Sequence, residues 1–188
     1  MSATLVDLLT AIDSRASALK LTEPGPTRVH LEQIMRAGVR APDHGRLRPW
    51  RFVVLEGPAR EKLGDAMARL SLAKFPQSTP EQLEGERRKV LRAPTIVIAA
   101  ARITQGKIPE VEQVAAVAAG VENMVLVAQA LGYGAMWKTG AAASAAQTKT
   151  MLGLTAQDHI VAFLYLGTTA LAGTATPASL DGIVTWTK

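Results

Sequence analysis

A chain of 188 residues suits one domain, and with 48% hydrophobic and 20% charged residues its composition is globular rather than disordered. It contains no cysteine, which excludes disulfides, thiolate metal sites and a cysteine nucleophile. The net charge of +5 and pI near 9.8 favour anionic partners, either nucleic acid or small phosphates such as nucleotides.

The elements follow in chain order. Leu5, Leu8, Leu9 and Ile12 recur at helical spacing, so residues 4–14 read as an amphipathic helix with one buried stripe. The aspartates Asp7 and Asp13 break a signal-peptide reading, and no long uncharged apolar run suggests a membrane span. A cytoplasmic protein that engages no membrane is therefore expected. Arg15 and Ser17 follow where the helix should end, flanking Ala16. A guanidinium and a hydroxyl two residues apart converge on one anion if the backbone is extended; otherwise they are a solvated helix end.

Residues 23–26 form a Pro-Gly turn. Thr27 caps a second helix that buries Leu31, Ile34 and Met35, with His30 at its surface, and Arg40 closes it. Residues 50–55 read as a strand stopped by Gly57 and Pro58, and Pro58 opens a helix with Leu63, Met67 and Leu70 inward. Thr79, Pro80 and Gln82 combine a capping box with a first-turn proline, starting a helix to Arg92. Its dense cluster of Glu86, Arg87, Arg88, Lys89 and Arg92 reads as a solvated face.

Residues 95–101 are an apolar strand buried on both faces. Residues 109–131 are the longest regular segment, rich in alanine and valine and nearly uncharged beyond Glu122, so the helix is expected to be buried all round. Its small residues suit a subunit contact. Residues 135–138 are a brief strand. Ser144 and Gln147 suggest a capping box for a short helix closed by Gly153, and residues 160–167 are the last core strand. From Thr168 the anchors thin out until residues 183–186, a terminal strand candidate. Helices alternating with strands give an α+β or α/β class with a mixed sheet.

Residues 40–57, RAPDHGRLRPWRFVVLEG, join a helix to a strand through a polar loop. By its residues alone the loop reads as well as a solvated connection as it does as a site. The histidines 30, 44 and 159 share no metal-ligand spacing, and neither a nucleophile elbow, a Walker loop nor a dinucleotide glycine fingerprint occurs. Difficult chemistry here would need a cofactor, and a flavin suits cationic and hydroxyl donors beside apolar walls.

The segment resembles the nitroreductase-family motif APSxxNxQPWxF, and more closely the small YdjA-like branch with APDH. The matching residues are Ala41, Pro42, Asp43 and His44, then Pro49, Trp50 and Phe52; Arg46 and Arg48 replace the usual asparagine and glutamine. Residues 132–140, GYGAMWKTG, resemble the branch's GxGGxWRSG segment, with Lys138 and Thr139 in place of Arg and Ser.

The resemblance implies one nitroreductase-like α+β domain over residues 1–188, with a mixed central sheet flanked by helices. It also implies a homodimer that exchanges C-terminal strands. FMN would lie between subunits, its phosphate held by Arg15, Ala16 and Ser17, with Lys138 and Thr139 on the cofactor and Arg40 and His44 near it. Trp137 reads equally as flavin contact or plain core. The implied activity is an NAD(P)H-dependent flavin oxidoreductase working by ping-pong hydride transfer, with NADH or NADPH as donor and a nitroaromatic, quinone or similar small molecule as oxidant. No catalytic acid or base is assigned; His44 either donates a proton or only positions the flavin. Two rivals remain open: a flavin-binding sensor or storage module, and a nucleic-acid binder using Arg46, Arg48, Trp50 and Arg51. The second is disfavoured because strand alternation separates Trp50 from Arg51.

Overall fold

The computed structural model describes residues 3–176 and 178–187, with side chains from Leu8 onward. In chain order the elements are α1 (Ala3–Ser14), β1 (Lys20–Thr22), α2 (Arg28–Gly38), β2 (Trp50–Glu56), α3 (Pro58–Lys74), α4 (Pro80–Arg88), β3 (Thr95–Ala101), α5 (Glu110–Ala130), β4 (Gly134–Lys138), α6 (Ala141–Ser144), α7 (Ala146–Met151) and β5 (His159–Leu171). Two 3₁₀ turns, His44–Arg46 and Lys89–Arg92, complete the order.

The long strand β5 organises the sheet. It pairs with β3, with β4 and, near its C-terminal end, with β1, while β2 lies beyond β3. Every pairing among these strands is antiparallel, which corrects the expectation of a mixed sheet; the α+β class stands. All of β3 is buried because helices cover both of its faces. Ile96, Ile98 and Ala100 pack with Leu63 and Val90 on one side, whereas Val97, Ala99 and Ala101 pack with Ile34, Val117, Val121 and Met124 on the other. Period-two alternation thus splits one apolar run between two cores.

Several local signals act as the sequence suggests. Thr79 and Gln82 form the reciprocal capping box, Thr27 caps α2, and Pro58 sits in the first turn of α3. Others are overturned. Ser144 caps nothing: Gly140, at φ 109, lets the turn of α6 form first, so Ser144 ends that turn and Ala145 stands at the start of α7. β5 runs on to Leu171 because β1, which no sequence signal marked, pairs with its end. Residues 183–186 form no strand within this chain.

The apolar stripe on α1 is exposed at Leu8, Leu9 and Ile12, contrary to expectation, while Leu5 lies outside the described side chains. α5 is not buried all round either, since Val111, Ala115 and Ala119 face outward. It is also long and apolar enough to cross a membrane by length and composition, which the sequence reading denied. Its inner face, packed against the sheet, explains that composition as core.

Among the described residues one carboxylate is buried, Asp158, and it ties together the backbone on either side of it. Asp158 accepts from the backbone N–H groups of Thr155 and Ile103, at 2.8 and 3.1 Å. Burial alone would raise its pKa, but these hydrogen bonds and the charge of Arg102 hold it below the ordinary aspartate range. A depressed pKa stabilises the fold above the unfolded-state value and loses that effect as acid protonates the carboxylate. Asp158→Ala is therefore expected to cost about 2 kcal/mol or more at neutral pH. The gap from wild type should narrow in urea titrations at about pH 3.

Candidate functional site

The sequence-predicted residues fall into three groups. Arg15, Ala16 and Ser17 follow α1 as a segment that is neither helix nor strand, and the next residue, Ala18, donates its N–H to the carbonyl of Ala135 in β4 at 2.9 Å. The Arg15 guanidinium lies 3.6 Å from Glu122 of α5, both partly exposed. Such a pair contributes less than about 1 kcal/mol, so the guanidinium is free to turn to a stronger anion.

Lys138 and Thr139 stand at the other end of β4. From Ala135 to Lys138 is three residues, about 10 Å of strand. Strand alternation sends Met136 and Lys138 to one face and Trp137 to the other. The first face borders a cavity of about 400 Å³. Met67, Leu70, Phe75, Met136, Phe163 and Tyr165 give it apolar walls, and Lys74, Lys89, Arg92, Lys138 and Thr139 line it with donors. Burial pushes the Tyr165 hydroxyl up from the ordinary phenol range, against the opposing charge of Arg92, so it stays a neutral donor and acceptor at pH 7. Trp137 is not among the lining residues; its indole N–H donates to the carbonyl of Val161 at 3.0 Å.

Arg40 and His44 form the third group, on the loop between α2 and β2. The loop has an unusual backbone, with positive φ at Gly45 (72°), Arg46 (55°) and Arg48 (52°). Two non-glycine residues in the left-handed region cost on the order of 1 kcal/mol each and need outside support. The Asp43 carboxylate supplies some by accepting the Arg48 N–H at 2.7 Å. Gly45 lies against the tip of the Ile108 side chain, which would have to swing aside to admit a Cβ.

The groups do not converge within one chain. Arg15 pairs with Glu122 and His44 with Glu112, so ten residues of α5, about 15 Å, separate them. The sequence reading also missed cavity residues. Lys89 and Arg92 belonged to the cluster read as solvated, but a 3₁₀ turn stacks residues three apart on one side, here toward the cavity. Val90, an apolar residue inside the charged run, was the available signal that this turn meets the core, where it is fully buried. Lys89 is partly neutralised by Glu86, whose two carboxylate oxygens lie 2.6 Å from its Nζ.

Comparison with known proteins agrees with this architecture. Residues 12–168 match the profile of the nitroreductase family. The Escherichia coli K12 protein named "Putative NAD(P)H nitroreductase YdjA" is 36% identical over 167 residues, covering 88% of this chain and 90% of that one. Among solved structures, the nitroreductase-like family protein from Bacillus cereus superposes with a TM-score of 0.81 at 22% identity, covering 96% of each chain. A nitroreductase with bound FMN from Bacteroides fragilis gives 0.74 at 21% identity, covering 97% of this chain and 99% of that one. A profile match across most of the sequence, a relative above 30% identity over nearly its whole length, and the shared sheet-and-helix arrangement point one way: the chain belongs to the nitroreductase family.

Proposed function

We propose that the protein is an FMN-dependent oxidoreductase that takes hydride from NADH or NADPH and delivers it to a nitroaromatic, quinone or related small acceptor in a ping-pong cycle. The observation that carries this reading is the 400 Å³ cavity, apolar in its walls and cationic at its border, which Lys138 and Thr139 line. A flat heteroaromatic ring suits such walls, and positive charge nearby favours its reduced, anionic form. Arg15 and Ser17 adjoin the Ala135 end of β4, about 10 Å of strand from Lys138, but Arg15 pairs with α5 on the opposite face of the sheet, so a cofactor reaching both ends would pass around the edge of β4. When bound, FMN would supply the hydride chemistry; the chain's residues hold, orient and shield it.

The third group enters through a homodimer. A two-fold contact through the exposed Val111, Ala115 and Ala119 of α5, with its axis perpendicular to the helices, would run them antiparallel and bring the Glu112 end of one toward the Glu122 end of the other. Arg40 and His44 of one subunit then approach Arg15 and Ser17 of its mate, completing a site that one chain leaves divided. Trp137 has a competing structural role through Val161, so its contact with flavin would come from the far face of β4. Use of Trp50 as a nucleic-acid stacking platform is disfavoured, because its half-buried ring packs in the core and its N–H donates to the carbonyl of Ala116.

The test is direct. Purified protein should be yellow, release FMN on denaturation, and oxidise NADH or NADPH steadily when a quinone is added. Protein that cannot take up FMN would overturn the reading, and yellow protein without turnover would leave a binding module. Arg15→Ala and Lys89→Ala should each weaken FMN binding by about 1.5–3 kcal/mol, the range for a hydrogen bond to a charged group. Arg87→Ala should leave binding unchanged, since Arg87 pairs with Asp65 and Glu84 away from the cavity. Flavin fluorescence titration of the three variants checks the contrast.

A further inference from the structure

His44 and Glu112 are 68 residues apart in sequence, yet His44 Nδ1 and Glu112 Oε2 are 2.6 Å apart. A carboxylate can only accept, so Nδ1 is the nitrogen that carries hydrogen. Nε2 has no partner among the described residues of this chain. In the neutral ring it is therefore a bare acceptor, and only protonation makes it a donor. The backbone beneath the ring is fixed independently, by Asp43 on the Arg48 N–H and by the left-handed run at Gly45, Arg46 and Arg48. That leaves rotation of the imidazole as the free variable, and the short bond to Glu112 restrains it, although both side chains are exposed, His44 to 67% and Glu112 to 42%.

We infer that Glu112 is a positioning residue for His44: from the first turn of α5 it sets the ring's orientation and tautomer so that Nε2 is presented to the cofactor. The claim about the cofactor rests on the flavin reading above; the claim about the tautomer does not. The charged and titratable groups on the surrounding segments are Asp43, Arg46 and Arg48 on the loop, Arg102 and Lys107 ahead of α5, Glu110 and Glu112 on its first turn, and His159 on β5. Glu110 gives an internal control. It occupies the same turn and carries the same charge, but it meets His159 through Nε2 instead.

The experiment uses ¹⁵N-labelled full-length protein, whose three histidines make assignment simple. At alkaline pH, where imidazole is ordinarily neutral, wild-type His44 should show the Nδ1–H tautomer. Glu112→Ala should shift it toward Nε2–H and weaken FMN binding about tenfold, the worth of one well-placed hydrogen bond. Glu112→Gln, whose amide oxygen still accepts from Nδ1–H, should keep both tautomer and affinity, and Glu110→Ala should change neither. Wild type that binds FMN while Glu112→Ala binds it equally well, or leaves the His44 tautomer unmoved, overturns the inference and spares the flavin reading. Equal losses in Glu112→Ala and Glu112→Gln, or in Glu110→Ala, also overturn it by showing that helix charge alone matters. Wild type that binds no FMN overturns the flavin reading and with it the cofactor half of the inference, while the tautomer half stands or falls by the nitrogen shifts alone.

Discussion

Cutting the chain after Ala172 is expected, on the homodimer proposed above, to destabilise the dimer and weaken flavin binding together. The segment removed holds Leu180, Ile183 and Trp186, and Trp186 is 86% exposed in the single chain. Leu8, Leu9 and Ile12 on α1 are exposed as well, and so are Val111, Ala115 and Ala119 on α5. Apolar surface on this scale is uncommon on a monomer and is the face that the second copy proposed above would cover. The start of the tail also touches the site, because Gly173 packs against the carbonyl of Ser17 so closely that a side chain there would collide. Losing the tail would therefore uncover the α1 end that carries Arg15 and Ser17, as well as remove contacts to the proposed partner. If FMN binds only the assembled state, dimer and cofactor are linked and fall together. Sedimentation and flavin absorbance, measured on one preparation, check this. A truncated protein that stays dimeric, yellow and equally stable would make the tail a frayed end, the ordinary fate of termini.

Much of the fold was legible because its signals are local. Thr79 and Gln82 sit three apart and cap each other whatever surrounds them, and residues 95–101 are apolar on both alternating faces. The loop at residues 40–57 was legible through its resemblance, since Ala41 to His44 and Pro49 to Phe52 carry a motif. What failed was non-local. Nothing in a strand's own residues says whether its neighbour runs parallel, so the antiparallel pairing of β5 with three other strands was out of reach. The stripe of Leu8, Leu9 and Ile12 announces burial but not whether the covering surface belongs to the same chain. Lys89 looked solvated because its run of charges hid the inward turn at Val90. Glu112 reads as an ordinary acidic residue in a helix's first turn, and only the tertiary fold brings it to His44.

One chemical change should have opposite signs at two helical glycines. Exchanging glycine for alanine inside a helix ordinarily stabilises by about 0.5–1 kcal/mol, through lower backbone entropy in the unfolded chain. Gly85→Ala in α4 should show that gain, because an added Cβ there meets nothing within 4 Å. Gly120→Ala in α5 should not. Its Cβ would lie 2.5 Å from the carbonyl oxygen of Gly38 and 3.0 Å from the indole nitrogen of Trp50. The first obstacle is backbone and cannot swing aside, so α2 and α5 must separate where Ile34, Val117, Val121 and Met124 close the core. Overpacking of this kind costs about 1–3 kcal/mol, enough to cancel the propensity gain and reverse it; Gly120→Val should lie at or beyond the upper end. The displacement also has a functional route. Gly38 ends α2 just before the Arg40–His44 loop, and Trp50 donates to Ala116 on the turn of α5 before Gly120, so both attachments of that loop move. Gly120→Ala should therefore lower the urea midpoint and loosen FMN, while Gly85→Ala raises the midpoint and leaves FMN affinity alone. A stabilised Gly120→Ala protein would mean that the two helices stand further apart than the contact at Gly38 requires.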